Sequence, residues 1–586
     1  LGFRMGSARG VGILRAMRAG RALALLLAVV LLAAACDDGG AVDGDGRETG
    51  RGVKRGTLRV VNHSEVEALD PGIAYGAADF ALLRGMVREL YSFDSRLEGE
   101  AALTPVPDLA DGPYQLSPDG RTYTFRIRRG VRYAPPVERE VQAKDFVYAI
   151  ERQFDPDHPS PNPYLGLIRG VAQFAAGKAR SISGMRAPDR RTLVITLDQP
   201  ANDFPSILTL PFFSPVPEEH ARRYQPGPEY ARHVIASGPY RLKQYTPGKL
   251  IELVRNPNWD PRTDPLRSAW VDRITVTIGR SEAGIQQAIE GGEADLNLDS
   301  VPPPNDDLQR LSSDPMLAKQ FAVETTGCVH YLTLQMDAGP TTKLAVRQAV
   351  NYAIDRRAVV LALGGRYAGE PASTILSPTL EGYSAFDLYP SQDAAGDPDK
   401  AKELLAKAGH PGGVTLTYVG QSSEKWKALY EVLRSSLLKA GIHLEPTFYK
   451  GYDAYTKSLR LRSKRDEHHL GAAGVCPDVP GNGSRSIIGV LLDGRIISPT
   501  SNNNFGSYNS ARVNALIDQA YGTRDTQARN ALWGQIDRLL MEDAAWAPLV
   551  YDRKAFFWSS RVRNWTFTPW LSNPDIANLW LDPNTP

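Results

Sequence analysis

The spacing of apolar residues changes repeatedly along the chain, and each change marks an element. Leu58 and Val60 alternate with Arg59 in Thr57–Val61, predicting a strand that ends at the turn cluster Asn62-His63-Ser64. From residue 77 to 91 the spacing becomes helical, with Phe80, Leu83, Val87, Leu90 and Tyr91 on one side, so a helix follows. Ser117-Pro-Asp-Gly120 is a turn that opens a strand over Arg121–Arg128, with Tyr123, Phe125 and Ile127 sharing a face. The next helix is predicted over Ala143–Arg152, burying Phe146, Val147 and Ile150. Val346, Val350, Ile354 and Val359 or Val360 form one stripe, predicting a single amphipathic helix over 346–360 with Arg347, Asp355, Arg356 and Arg357 turned elsewhere. A scaffold helix over Lys400–Lys407 is stopped by Gly409 and Pro411. His469 to Val475 reads as a strand, and its exit Cys476-Pro-Asp478 carries a lone carboxylate on a turn-rich loop. Asp478 is there either an Asx-turn residue or a binding group. Strands alternating with helices make the class α/β.

The N-terminal pattern differs. Five arginines, Arg4, Arg9, Arg15, Arg18 and Arg21, precede residue 36 with no acid among them, and an unbroken apolar run spans Ala22–Ala35. That run has the length of an export signal and is too short for a membrane-spanning helix. Ala33-Ala34-Ala35-Cys36 resembles a bacterial lipobox with Cys36 as the lipidated first mature residue, although the usual Leu stands one place early. The alternative is cleavage after Ala-x-Ala, leaving a chance thiol. Residues 1–36 are therefore read as a lipoprotein signal and the Gly/Asp-rich stretch 37–56 as a flexible tether. A lipid on Cys36 would hold the protein at the extracytoplasmic face of a membrane.

The charge balance changes once the signal is set aside. Removing its five arginines from the 68 basic residues leaves 63 against 66 acidic ones, a net charge of −3, which carries no nucleic-acid footprint. At 586 residues the chain exceeds one hydrophobic core. With Cys36 lipidated, Cys328 and Cys476 remain as a pair. In an oxidising compartment they are expected to form a disulfide closing a loop of about 150 residues, worth up to ~5 kcal/mol. The competing reading is a metal site of Cys328, His330, Cys476 and His468 or His469, but it lacks a paired Cys-x-x-Cys or His-x-x-x-His spacing. The metalloprotease, serine-hydrolase and nucleotide-loop motifs are absent from the sequence. A hydrolase built on a carboxylate pair, which is recognised by separation in space, is the alternative of another class.

Several motifs follow one another in a fixed order. They begin with Val60-Val-Asn-His-Ser-Glu-Val-Glu-Ala-Leu-Asp-Pro71, Ser117-Pro-Asp-Gly-Arg-Thr-Tyr-Thr-Phe-Arg-Ile-Arg-Arg-Gly-Val131 and Ala143-Lys-Asp-Phe-Val-Tyr-Ala-Ile-Glu-Arg152. They continue through Ser214-Pro-Val-Pro217, Ser237-Gly-Pro-Tyr-Arg-Leu-Lys243 and Arg255-Asn-Pro-Asn-Trp259. Val346-Arg-Gln-Ala-Val-Asn-Tyr-Ala-Ile-Asp-Arg356, Asp397-Pro-Asp-Lys-Ala-Lys-Glu-Leu-Leu-Ala-Lys-Ala-Gly409, Gly441-Ile442 and Ala547-Pro-Leu-Val-Tyr551 complete the series. In this order they resemble the family 5 extracellular solute-binding proteins, the oligopeptide and dipeptide receptors of ABC importers, from about residue 57 to the C-terminus.

The resemblance implies a periplasmic-binding-protein-like fold (type II, cluster C) with three α/β lobes and a hinged interlobe ligand cleft. Lobe I would comprise 57–95, 225–325 and 555–586, an inserted lobe II 96–224, and lobe III 326–554. It implies a monomeric receptor without catalytic group, metal or cofactor. Such a receptor would capture a peptide or peptide-like solute and deliver it to ABC permease subunits. Nickel chelates and oligosaccharides are the other ligand classes. Cys476-Pro-Asp478 and Cys328-Val-His-Tyr331 match the family pattern in which the Asp meets the peptide amine and the two cysteines pair. Ala472, Ala473, Gly474, Val475 and Cys476 are then expected to offer a strand edge to the ligand. The chain departs from the pattern in three places. Tyr75, which with Gly76 is a candidate ligand-site residue, stands where an acid is frequent, Ala472 where an Arg is frequent, and Val475 where a Trp is frequent. Lys425 is a candidate cation for a peptide C-terminus, and Tyr164 and Tyr551 are candidate aromatic linings.

Overall fold

Thr57–Asn62 is the edge of the first of the three sheets of four or more strands among the described residues, pairing parallel with Arg273–Ile278. Antiparallel pairing then runs through Leu250–Arg255 to Tyr240–Thr246. These strands belong to a computed structural model that describes residues 52–158, 162–479 and 483–585, so the expected signal, Cys36 and most of the tether lie outside it. Strand alternation sends Leu58, Val60, Ile251, Leu253, Ile274 and Val276 into one core. Helix Ala77–Met86 packs there through Leu82, Leu83 and Met86, and Phe556, Trp558, Ile576 and Leu579 arrive from the far end of the chain.

That helix is shorter than its apolar spacing predicts. Val87 is already extended, because Arg88 and Glu89 turn into a buried ion cluster rather than continuing the stripe. Arg88 lies 2.6 Å from Asp108, and Arg267 contacts Asp108 at 2.8 Å and Asp264 at 3.2 Å. Three guanidinium-to-carboxylate contacts with fixed geometry outweigh the weak propensity of one more helical turn.

The second sheet centres on Thr122–Arg126, flanked by Gln115–Leu116 and by Thr192–Thr196 with Met185–Arg186 beyond. Tyr123 and Phe125 point into a core shared with Phe146 and Ile150 of helix Ala143–Glu151, as their spacing predicts.

Six strands form the third sheet, in the order Gly369–Pro371, Trp546–Phe557, Phe321–Leu334, Leu470–Val475, Val414–Gln421 and Ile442–Tyr449. Both faces are covered. Leu332, Ala472 and Leu549 enter one core with Val350, Leu416 and Leu433, while Tyr331, Ala473 and Tyr551 enter the other with Ile488 and Trp533. A sheet covered on both sides explains why Leu470–Val475 reads as apolar and small throughout.

Within this sheet, Phe321–Leu334 and Trp546–Phe557 run antiparallel from one core to another. Leu332 and Ala547 lie in the core of the third sheet, whereas Ala322 and Phe556 pack into the core of the first. Their register shifts between Thr325 and Val329. Gly327 sits in that bulge with φ +83°, and a Cβ there would meet Pro477 and Thr379 at 3.0 Å, so glycine is required on both counts.

The single helix expected over 346–360 is two, Leu344–Ala353 and Arg356–Leu363. Ile354 is extended, and the Asp355 side chain caps the second helix by accepting the Ala358 N–H at 2.8 Å. Arg347 and Arg356, expected to face away from the core, are buried. Arg347 donates to the carbonyls of Thr341 and Asp543, and Arg356 to those of Asn351 and Pro548. An apolar-stripe reading counts such arginines as solvated, whereas here they satisfy main-chain acceptors at element ends. The later helix Pro398–Lys407 is capped by Asp397 and followed by Gly409 at φ +85°, as its sequence predicts. Among the described residues no helix is long and apolar enough to cross a membrane.

Candidate ligand-binding site

Leu470–Val475 pairs along its whole length with Phe321–Leu334, from Leu470↔Leu334 to Val475↔Val329. On its other side Val414–Gln421 pairs only with Leu470 and Gly471. Residues 472–475 therefore have no strand partner on that side among the described residues, although the Tyr455 hydroxyl donates to the Ala472 carbonyl. Gly474 is needed for this close approach, since a Cβ there would meet His330 Nδ1 at 2.7 Å. At the end of the strand Cys476 is joined to Cys328 (S–S 2.05 Å), so the exit loop is fastened beside the Gly327 bulge. The two sulfurs are bonded to each other and neither is a thiolate ligand, which removes the metal reading of Cys328, His330 and Cys476.

Asp478 follows on that loop, its N–H donating to Ser486 Oγ at 3.3 Å, and Val479 drops into the core of the second sheet. The Asp478 carboxylate receives a phenol on each oxygen. Tyr75 donates to Oδ1 and Tyr164 donates to Oδ2. Tyr164 belongs to the 3₁₀ turn Pro163–Leu167, its N–H held by Asn162 Oδ1 at 2.9 Å, and only 6% of the residue is exposed. Tyr75 lies on the loop that enters helix Ala77–Met86 and is 56% exposed, with ring centroids 6.3 Å from Phe80 and 6.0 Å from Phe212. Gly76 is occupied locally, its N–H donating to Asp79 Oδ2 at 3.1 Å in the helix cap.

Burial pushes the Asp478 carboxyl above its ordinary value, and the two phenol hydrogen bonds pull it part of the way back. Both tyrosine hydroxyls are raised, first by desolvation and then by the neighbouring carboxylate, so they stay neutral donors even though the Tyr75 residue as a whole is more than half exposed. No lysine or arginine pairs with Asp478 among the described residues. Seven residues further on, Arg485 does pair, its NH2 lying 2.8 Å from Asp203 Oδ1 and its guanidinium 3.4 Å over the Tyr521 ring. Asp203 and Tyr164 come from the segment that carries the second sheet, Arg485 and Asp478 from the segment that carries the third.

The remaining candidates lie elsewhere. Lys425 is exposed at the start of helix Glu424–Lys439 and lines a separate cavity of about 220 Å³ with His330, Asp552, Lys554, Tyr367 and Ser300. His330 Nε2 is 3.3 Å from Asp552 Oδ1 there. Tyr551 is buried, and its hydroxyl accepts the N–H groups of Ser373 and Thr374 at 3.2 and 2.9 Å, so it serves the core. Sequence reasoning missed the Asp203–Arg485 pair, for which a separation of 282 residues leaves no local signal. It placed Tyr75 among the ligand-site candidates, where an acid is frequent, without the bond that the Tyr75 hydroxyl donates to Asp478.

Comparison with known proteins agrees with this architecture. The profile of the bacterial extracellular solute-binding proteins, family 5 middle, matches residues 104–483. Heme-binding protein A of Haemophilus influenzae is 29% identical over 480 residues, covering 79% of this chain and 82% of its own. Periplasmic oligopeptide-binding protein OppA of Salmonella typhimurium is 26% identical over 540 residues, covering 90% and 92%. Among solved structures, clavulanic acid biosynthesis oligopeptide binding protein 2 matches with a TM-score of 0.84 at 31% identity, over 90% of this chain and 96% of its own. The likeness to DppA of Helicobacter pylori in complex with peptide STSA is one of fold, at a TM-score of 0.69 and 24% identity over 90% and 98%. With most of its length matched in sequence and in fold, the chain belongs to the family 5 extracellular solute-binding proteins, the receptors of ABC importers.

Proposed function

We propose that this receptor captures peptides by their N-terminal amine at Asp478 and hands them to an ABC permease, with lobe closure about the paired strands Phe321–Leu334 and Trp546–Phe557. The observation that carries the reading is a half-buried carboxylate whose oxygens have only neutral phenols for partners among the described residues. A ligand ammonium supplies the missing charge, and closure together with the phenols offsets its desolvation. The unpartnered side of 472–475 offers main-chain groups to an extended ligand, so backbone pairing gives affinity while side chains go unread. His330 pairs with Gly474 and lines the cavity holding Lys425, Lys554 and Asp552; its two lysines against one carboxylate leave a positive balance for the carboxylate end of a ligand lying along the strand. No step needs a catalytic group.

The lobe boundaries inferred from the resemblance, the lipid anchor on Cys36, the monomeric state and the extracytoplasmic site of action are parts of the same reading. A non-peptide solute is the second reading, favoured by the relative named as a heme-binding protein. Protein purified natively and then denatured for mass spectrometry separates the two. Released peptides of mixed sequence and narrow length are expected. Recovery of a haem or another non-peptide solute, with no thermal shift against a peptide library, would overturn the first reading in favour of the second.

A further inference from the structure

The two phenols on Asp478 are not equivalent. Tyr164 is fixed in a capped turn inside the core of the second sheet, so its hydroxyl is a permanent part of the site. Tyr75 is more than half exposed and hangs on a loop between Gly72 and Gly76, held by ring contacts at 6.0 and 6.3 Å and by its one hydrogen bond to Asp478. The bond joins the entry of a helix in the first core to a loop leaving the third sheet, 403 residues away in sequence. Breaking it moves one exposed ring, whereas breaking the Tyr164 bond would require the turn to leave the core.

We propose that Tyr75 is the exchangeable half of a latch: its hydroxyl closes the cleft on Asp478 Oδ1, and ligand capture replaces that phenol with the ligand's ammonium. The proposal rests on Asp478 as the amine anchor. Exchange runs forward because an ammonium-to-carboxylate hydrogen bond is charge-assisted and about twice as strong as one from a neutral donor. The latch bond must be given up first, so it lowers ligand affinity while it favours the closed form of the free receptor. Burial also favours exchange, since the raised Asp478 carboxyl is better served by a full positive charge than by a second phenol.

Two measurements on Tyr75→Phe, which keeps the ring against Phe80 and Phe212, test this. Calorimetry with trialanine is expected to show binding about fivefold tighter than in the unsubstituted protein, the equivalent of one ordinary hydrogen bond. Tyr164→Phe is expected to bind more weakly. Small-angle scattering of the ligand-free receptor is expected to give a larger radius of gyration for Tyr75→Phe, because a closing contact has been removed. Weaker trialanine binding by Tyr75→Phe would make Tyr75 a ligand contact and overturn the latch, as would an unchanged radius of gyration. If the unsubstituted protein binds neither trialanine nor other free-amine peptides, the amine-anchor reading fails. The exchange step then fails with it, and the scattering result decides only whether the Tyr75 hydroxyl holds the cleft of the free receptor closed.

Discussion

Asp203 and Asp478 lie on neighbouring parts of one contact surface and are paired in opposite ways. Asp203 has a cation of its own in Arg485, stacked on Tyr521 and only 8% exposed on each side chain. Asp478 has two phenols. Three other buried aspartates follow the first pattern: Asp70 faces Arg152 at 2.6 Å, Asp108 faces Arg88 at 2.6 Å, and Asp575 faces Arg84 at 3.3 Å, whereas Asp79 and Asp537 are held by main-chain N–H groups. A carboxylate with its own guanidinium is electrostatically complete and holds segments together. One with only neutral donors keeps its charge uncompensated. At Asp79 and Asp537, fixed by main-chain N–H groups, burial raises the carboxyl to about 7. The donors to Asp478 are instead two phenols, one on an exposed ring, which leaves room for a cation from outside.

The largest expected effect separates these two roles. Asp203→Asn leaves the Arg485 charge buried without a counter-ion and is expected to cost about 3–5 kcal/mol of stability, read by denaturant unfolding. Asp478→Asn removes a costly charge, and one phenol can still donate to the amide oxygen while the other turns to accept from the amide NH2, so it should leave the unfolding midpoint unchanged or raise it. Binding should respond in the opposite sense, with affinity for free-amine peptides falling by about 2–4 kcal/mol in Asp478→Asn, while N-acetylated peptides are bound equally poorly by both forms. A large stability loss in Asp478→Asn would mean that the phenol-capped carboxylate is structural and would break the comparison.

Next in size is the fastening of the loop. The disulfide closes a segment of 148 residues and holds Asp478 two residues beyond Cys476. Replacing Cys328 and Cys476 together by serine is expected to cost about 2 kcal/mol of global stability. Because the Asp478 loop is then free to move relative to the Gly327 bulge, peptide affinity should fall as well. Asp203 and Arg485 lie outside this loop exit, so a double substitution that weakened binding only through general unfolding would give the same loss in an Asp203→Asn background. A loss specific to the disulfide would instead persist at temperatures where both proteins are fully folded.

The two carboxylates also differ in how much of their role was legible. Asp478 could be singled out as a candidate: its local sequence, a short apolar strand, a cysteine and a turn within ten residues, left it an Asx-turn residue or a binding group, and the Cys-x-Asp resemblance favoured the second. Asp203 could not, since its partner lies 282 residues away and Ala201-Asn-Asp203 looks like any turn. The same division holds for the fold. Strand Thr122–Arg126 and helices Ala143–Glu151 and Pro398–Lys407 follow their apolar spacing to within a residue or two. Spacing failed where charged side chains turned inward, as at Arg88 and Glu89, which end helix Ala77–Met86 early, and at Arg347 and Arg356, which bind carbonyls where a solvated face was expected. Tyr551, a candidate aromatic lining, is buried with its hydroxyl accepting from Ser373 and Thr374, a placement its local sequence does not carry.

The smallest expected effect is a pH dependence that only the uncompensated carboxylate should show. Burial holds the Asp478 carboxyl above the ordinary range for an aspartate, and its phenol partners only partly correct this. Protonation removes the charge that an ammonium needs, so affinity should be complete above the Asp478 pKa of the free protein and decline as pH falls through it. The decline begins at a higher pH than a surface aspartate would give. The bound ammonium favours the ionised form, so the complex has a lower Asp478 pKa than the free protein and binding releases a proton in that window. Above about pH 8 the peptide amine itself loses its proton and affinity should fall again. Calorimetry of trialanine between pH 4.5 and 9, in buffers of different ionisation enthalpy, reads both limbs and the released proton. A flat profile on the acid side would mean that the Asp478 charge does not meet the ligand, and Asp478 would then belong with Asp203 among the structural carboxylates.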